Sequence, residues 1–148
     1  MNNALVDQRR AEINNIEDFL KQLCVTRVKK GLDQPIPYIN THHFAEGLYV
    51  RAYYGVKDSV ATSQIHKREH ITVLCAGHCR VVSTSQSENR IDIYKDFAIM
   101  VTPPLTQRAL YFLEDTTIIT VHTNPDNIRD MKELENMHVM NNFEEKEE

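Results

Sequence analysis

The sequence predicts an all-β sandwich or barrel with one helix at each end. Three observations predict it. Seven or eight short segments alternate with period two, turn signals separate them, and apolar spacings of three and four are confined to the two ends.

The first element is an amphipathic helix over roughly Val6 to Cys24. Ile13, Ile16, Phe19, Leu20 and Leu23 form its apolar stripe, with Glu12, Asn15, Asp18 and Lys21 between them. Such a helix either packs on the outside of the domain or serves an oligomer contact. Val25 to Pro37 is a connector, broken by Gly31, Pro35 and Pro37.

Beyond the connector the period changes. Leu48, Val50 and Ala52 alternate with Tyr49, Arg51 and Tyr53. Strand-like segments follow at Val60–His66, Ile71–Ala76, Cys79–Ser83, Arg90–Tyr94, Phe97–Val101, Arg108–Leu113 and Thr117–His122. Gly55, Gly77, the polar run Ser83–Asn89, Pro103-Pro104 and Glu114-Asp115 are the turns. A second helix follows Asn124-Pro125-Asp126, with Asp126 as its N-cap and Ile128, Met131, Leu134 and Met137 as its stripe. The expected division is 1–37 for helix and connector, 38–124 for the barrel, 125–140 for the second helix and 141–148 for an acidic tail.

Composition narrows the function classes. The chain has 148 residues, enough for one core, with 41% hydrophobic and 26% charged residues. A net charge of −4 argues against general nucleic-acid binding, which needs clustered Lys and Arg. No apolar run approaches the ~18–20 residues that span a bilayer, and the first residues lack the apolar stretch of a signal peptide. No membrane association is expected. Cys24, Cys75 and Cys79 are odd in number and lack paired spacing, so they read as reduced thiols in a cytoplasmic setting. A turn between Cys75 and Cys79 argues against a zinc knuckle. No phosphate loop, dinucleotide fingerprint or nucleophile elbow is present.

The chemistry-bearing stretch is Gln64-Ile-His66-Lys-Arg-Glu69-His70-Ile-Thr-Val-Leu-Cys-Ala-Gly77. Its spacing resembles the first motif of the cupin family, a His-x-His pair followed by a Glu and a closing Gly. Aligned on Gly77, His70 stands at the Glu, His66 at the second His and Gln64 at the first. Val101-Thr-Pro103-Pro104-Leu-Thr-Gln-Arg108 resembles the second motif, with Arg108 in place of its His. The resemblance implies a double-stranded β-helix, the cupin jelly-roll barrel, with an N-terminal amphipathic helix and a short C-terminal helix outside it.

A set of small cupin-like proteins of tailed bacteriophages and prophages, mostly of unknown function, is similar over about Tyr38 to Thr123. The pieces that carry this are His66-Lys-Arg-Glu-His70, Thr41-His-His-Phe-Ala-Glu-Gly47-Leu-Tyr-Val-Arg51, Gln107-Arg108-Ala-Leu-Tyr-Phe-Leu-Glu114-Asp115 and Ile119-Thr-Val-His122. This resemblance implies a phage origin and a host-cytoplasmic location, while the cupin resemblance implies pairing into homo-oligomers through sheets. The likeness to the phage proteins implies no particular activity.

Residues two apart on a strand share a face. Val60, Thr62, Gln64 and His66 are therefore expected on one face, joined across a bend by His70, Thr72 and Leu74. Arg108 goes with Leu110 and Phe112, and His122 with Thr120 and Ile118. In the cupin registration Gln64, His66, His70 and Arg108 converge inside the barrel, and His122 reaches the same space. Two imidazoles with a third His or a Gln suit a divalent transition metal such as Zn, Fe, Mn or Ni. Arg108 opposes this, since its charge repels a cation, and the usual Glu is missing. The other reading is a small anionic molecule gripped by Arg108, with His66 and His70 donating and Arg51, flanked by Tyr49 and Tyr53, as a stacking wall. The bland reading is that these groups satisfy one another and fill the barrel.

Three roles remain open on the sequence: a non-catalytic binder of a small anionic or nucleotide-like molecule, a metal-dependent or histidine-dependent cupin enzyme such as an oxygenase, isomerase or epimerase, and a virion assembly protein. His42-His43 reads as a loop or strand edge, solvated rather than ligating. Lys67 and Arg68 read as a solvated charge pair at the mouth, able to steer an anion inward.

Overall fold

The computed structural model describes residues 4–16, 38–85 and 89–140. Phe19, Leu20, Leu23, Cys24, the connector up to Pro37, residues 86–88 and the acidic tail at 141–148 lie outside the described residues. Residues 4–16 form helix α1. Eleven strands follow: β1 Tyr38–Ala45, β2 Gly47–Gly55, β3 Val60–Thr62, β4 Ile65–His66, β5 His70–Ala76, β6 His78–Thr84, β7 Asn89–Lys95, β8 Ala98–Thr102, β9 Gln107–Phe112, β10 Thr116–Asn124 and β11 Val139–Met140, with helix α2 at Met131–His138 before β11.

All ladders are antiparallel. One sheet has the order β1-β2-β10-β5-β8, the other β3-β9-β6-β7, and β11 pairs with β4. Setting aside the added hairpin strand β1, two four-stranded sheets share eight strands that wind back and forth between them. That is the double-stranded β-helix, an all-β jelly roll. The strand alternation and the turn signals predicted it correctly.

The hairpin β1–β2 exceeds the expectation. His42 and His43 lie in a paired strand, opposite Arg51 and Val50. The Val60–His66 segment is also not one strand. It breaks at Ser63-Gln64, where the Ser63 N–H donates to the Arg108 carbonyl at 2.8 Å. Ala61 is buried before the break and Ile65 and His66 after it. Ala61 enters the core although Val60 and Thr62 were the residues expected inward; Thr62 nonetheless lines a cavity within the barrel with Gln64 and His66.

The core fills one end of the barrel. Ala61, Leu74, Cys79, Val81, Phe112 and Ile118 form it, with Tyr53, Leu110 and Met100 packed against them. Gly77, at φ +104 between β5 and β6, makes the tight turn that a side chain would block, since a Cβ there would meet the Asp115 carbonyl and Thr116. Cys75 and Cys79 are free thiols on either side of this turn.

The ends differ from the predicted helices in detail. In α1 the buried line is Val6, Arg10 and Ile13, at helical spacing, while Ile16 is 36% exposed. Arg10 is buried because its Nη2 donates to the Leu105 carbonyl at 3.2 Å, and Gln107 Nε2 donates to Asn14 Oδ1 at 2.9 Å. α1 thus leans on the β8–β9 turn through hydrogen bonds as well as apolar contact. At the other end Asp130, not Asp126, caps α2, its side chain accepting from the Glu133 N–H at 2.8 Å. The earlier Asn124-Pro-Asp-Asn127 signal makes a separate turn, which Asn124 closes through both Ile128 N–H and carbonyl. The inward face of α2 is Leu134 and His138. Among the described residues no helix is long and apolar enough to cross a membrane.

Candidate metal centre and ligand cavity

Inward side chains of the larger sheet fall into layers. Tyr53, Ile118 and Leu74 are register neighbours and belong to the apolar end. Two residues along each strand come Arg51, Thr120 and Thr72, again neighbours across β2, β10 and β5. Two further residues bring Tyr49, His122 and His70. Period two therefore carries the barrel interior from apolar to hydroxyl and guanidinium to imidazole.

His66 enters the last layer from β4. Its ring centroid lies 4.4 Å from that of His70 and 5.5 Å from that of His122, and the His70–His122 separation is 4.6 Å. One ring nitrogen from each of the three lies within 4.8 Å of the others. The three side chains are only 5–6% exposed. Burial is the first cause that lowers all three proton affinities, and the nearby Arg51 adds to it in each; His70 further lowers His66 and His122, and Arg108 lowers His66 and His70. His66 falls to about 2, His122 to about 3 and His70 to about 4. At neutral pH the cluster is three uncharged imidazoles.

His70 Nδ1 faces the Arg68 carbonyl at 3.4 Å, an acceptor that holds the proton on Nδ1 and leaves the Nε2 lone pair for the cluster. No carboxylate stands among the three. A neutral, lone-pair-rich and buried set of this kind fits a divalent transition metal, for which imidazole is a common ligand. His66, His70 and His122 are the residues that would hold such an ion, which would supply a Lewis-acid centre there.

The cluster opens on a cavity of about 350 Å³. Its lining includes Gln64, His66, His70, Thr72, Arg51 and Arg108. Arg108 is aimed by two hydroxyls: Nε donates to Ser83 Oγ at 3.1 Å and Nη1 to Thr72 Oγ1 at 3.3 Å, while Thr72 and Thr102 share a hydrogen bond at 3.0 Å. Tyr49 does not line this cavity. It is buried at 7% exposure, stacked on His122 and hydrogen-bonded through its hydroxyl to His42 Nδ1 at 2.8 Å. It lines instead an adjoining cavity shared with Arg51, Gln64, His66 and His122, and Tyr53 takes the wall of the first cavity beside Arg51.

His138 was missed by sequence reasoning. It sits on α2 with its ring centroid 4.9 Å from His122 and 6.1 Å from Tyr49, and it lines a second cavity of about 190 Å³ on the far side of His66 and His122. Its position one turn after Leu134, on the same helical stripe, was the available signal. Lys67 is likewise not merely solvated: its Nζ donates to the Asn136 carbonyl at 2.7 Å and its N–H to the His138 carbonyl at 2.8 Å. These bonds close the last turn of α2 and pin it beside the cluster. The neighbouring β11–β4 pairing places Val139 opposite His66.

No family model matches the chain, and no curated protein does. Among solved structures it is similar to a conserved protein of unknown function from Streptococcus pyogenes, with 12% identity, a TM-score of 0.47, and coverage of 60% of this chain and 75% of that one. It is also similar to hydroxypropylphosphonic acid epoxidase from S. wedmorenis, with 10% identity, a TM-score of 0.49 and 58% of this chain covered. The Fe(II) form of that enzyme with substrate gives 10% identity, a TM-score of 0.48 and 57% of this chain covered. The chain spans about half the length of the epoxidase. The strand order given above makes the fold an all-β jelly roll. What it does follows from its own side chains.

Proposed function

We propose that this chain is a metal-binding cupin-like protein that presents one divalent transition metal, held by His66, His70 and His122, to a small molecule in the barrel. The single observation that carries this is the convergence of three buried, uncharged imidazoles within 4.8 Å, with no acid among them. Packing three polar rings together away from water is costly unless their lone pairs find an acceptor of electrons. A metal supplies it. Bound there, it would act as a Lewis acid or a template for the molecule beside it. Gln64 and Arg108 take the remaining motif positions and line the cavity instead of the imidazole cluster.

Zn, Fe, Mn and Ni all suit imidazole with open positions. The same centre serves a binder, which holds its ligand, or an enzyme of the oxygenase or isomerase type. In the phage setting implied by the sequence resemblance, the molecule would be a host metabolite or signal held for sequestration or sensing.

Elemental analysis of untagged protein purified without chelators tests the reading. About one transition metal per chain, lost in His66→Ala and His122→Ala, is expected. Near-zero metal that added Zn or Co fails to restore would overturn it. It would leave the metal-free alternative, an anion held by Arg108 with His66 and His70 as donors.

A further inference from the structure

The layer just inside the histidines carries two polar atoms that no group among the described residues satisfies. Arg51 Nε and Thr120 Oγ1 are both shielded from solvent and without a hydrogen-bond partner. The two residues are direct register neighbours on β2 and β10, and both line the 350 Å³ cavity. A guanidinium N–H and an adjacent hydroxyl, left unpaired together, match one acceptor that sits between them. The acceptor best suited to a guanidinium edge is an oxyanion.

The charges around the cavity agree. Among the described residues its lining holds two guanidinium groups, Arg51 and Arg108, and one carboxylate, Glu135, which stands exposed on α2. The imidazoles add no negative charge. A metal on them would add positive charge, and an anion lying between it and the guanidiniums would turn a repulsive arrangement into an attractive one. The obstacle that Arg108 raises against a cation thus disappears once the ligand itself is acidic.

The spacing sets the size. His122 and Thr120 are two residues apart on one strand, a rise of about 7 Å. A molecule of a few heavy atoms, acidic at one end and with a second oxygen at the other, reaches both layers. Nucleotide-sized ligands exceed what this step requires.

We infer that the cavity takes a small organic oxyacid, carboxylate or phosphoryl, whose acidic group is seated by Arg51 and Thr120 one layer inside the histidines. The inference rests on the metal reading only for what the ligand's other end meets.

The test uses the full chain loaded with Co(II), titrated calorimetrically with oxalate and, separately, with inorganic phosphate. At least one probe is expected to bind saturably, and which one does distinguishes a carboxylate from a phosphoryl seat. Arg51→Met should weaken it by about ten- to a hundredfold, and Thr120→Val by several-fold at least, with Co(II) stoichiometry unchanged. Arg51→Lys should recover part of the loss. No binding of either probe to the parent chain overturns the proposal, as does equal affinity in Arg51→Met. If Arg51→Met fails to fold, unchanged affinity in both Arg51→Lys and Thr120→Val overturns it. If Co(II) does not bind, the same titrations are run on metal-free protein. Binding that Arg51→Met abolishes would then sustain the oxyacid seat while the metal reading falls, and no binding would overturn both.

Discussion

The imidazole of His66 lies 4.4 Å from that of His70, tilted by 39°, although a turn separates the two residues and they occupy different strands. Each ring occupies space that the other's proton would make unfavourable. This close pairing, with His122 stacked against both, fixes the behaviour of the site under changes of pH, metal and side chain.

Stability of the metal-free protein should fall as pH falls below about 6.5. Above that value the three histidines are neutral in the folded and unfolded chain alike, and contribute no slope. Below it the unfolded chain takes up protons that the folded chain refuses until about 4 for His70, 3 for His122 and 2 for His66. Each contributes up to about 1.4 kcal/mol per pH unit across its window. Urea unfolding between pH 7 and pH 5, with chelator present, measures the slope. His66→Leu should flatten it by close to one proton, and an unchanged slope in that variant would show that His66 does not stay neutral.

Metal should stabilise the folded chain. At a free concentration about a hundred times its Kd, the gain is about 2.7 kcal/mol, by preferential binding to the folded state. Thermal unfolding with and without added Zn or Co(II) reads this directly. His70→Ala should remove the gain, because two imidazoles remain where three converge. A metal-dependent rise in Tm of equal size in that variant would place the ion elsewhere.

Gly77→Ala should destabilise the protein by about 2–4 kcal/mol, among the larger single-residue effects. The position has φ +104, and an added Cβ would meet the Asp115 carbonyl oxygen and the Thr116 Cα, both backbone atoms unable to swing aside. Chemical denaturation checks it. A loss below about 0.5 kcal/mol would mean that the β5–β6 turn relaxes freely.

Asp130→Ala should cost about 1 kcal/mol by removing the cap on the first turn of α2. Because Lys67 ties the other end of the helix, metal stoichiometry should stay unchanged. Loss of metal in this variant would show that α2 holds the histidine cluster together rather than covering it.

Cys79 should resist thiol reagents in the folded protein. It is 1% exposed, and burial raises its pKa to about 11, so the reactive thiolate is scarce. Cys75, half-buried on the other side of Gly77, should label before Cys79. Peptide mapping after brief alkylation distinguishes them, and prompt modification of Cys79 would indicate opening of the core.

The sequence by itself determined the strand pattern, because a half-buried strand must alternate and its turns need Gly, Pro or acidic residues. Period two also set the expectation that Gln64, His66, His70 and Arg108 converge inside the barrel, since it carries each along its own strand. Where the backbone leaves the regular path this logic failed. The segment that breaks at Ser63-Gln64 has Ala61 in the core, and the turn after Asn124 moved the helix cap from Asp126 to Asp130. Only the tertiary structure decided which side chains meet. His122 comes from the last long strand, Thr120 faces Arg51 across a ladder, and His138 arrives on a helix tied down by Lys67. Such contacts join residues far apart in the chain. They depend on register and on how the sheets close, and no local pattern of residue types encodes either.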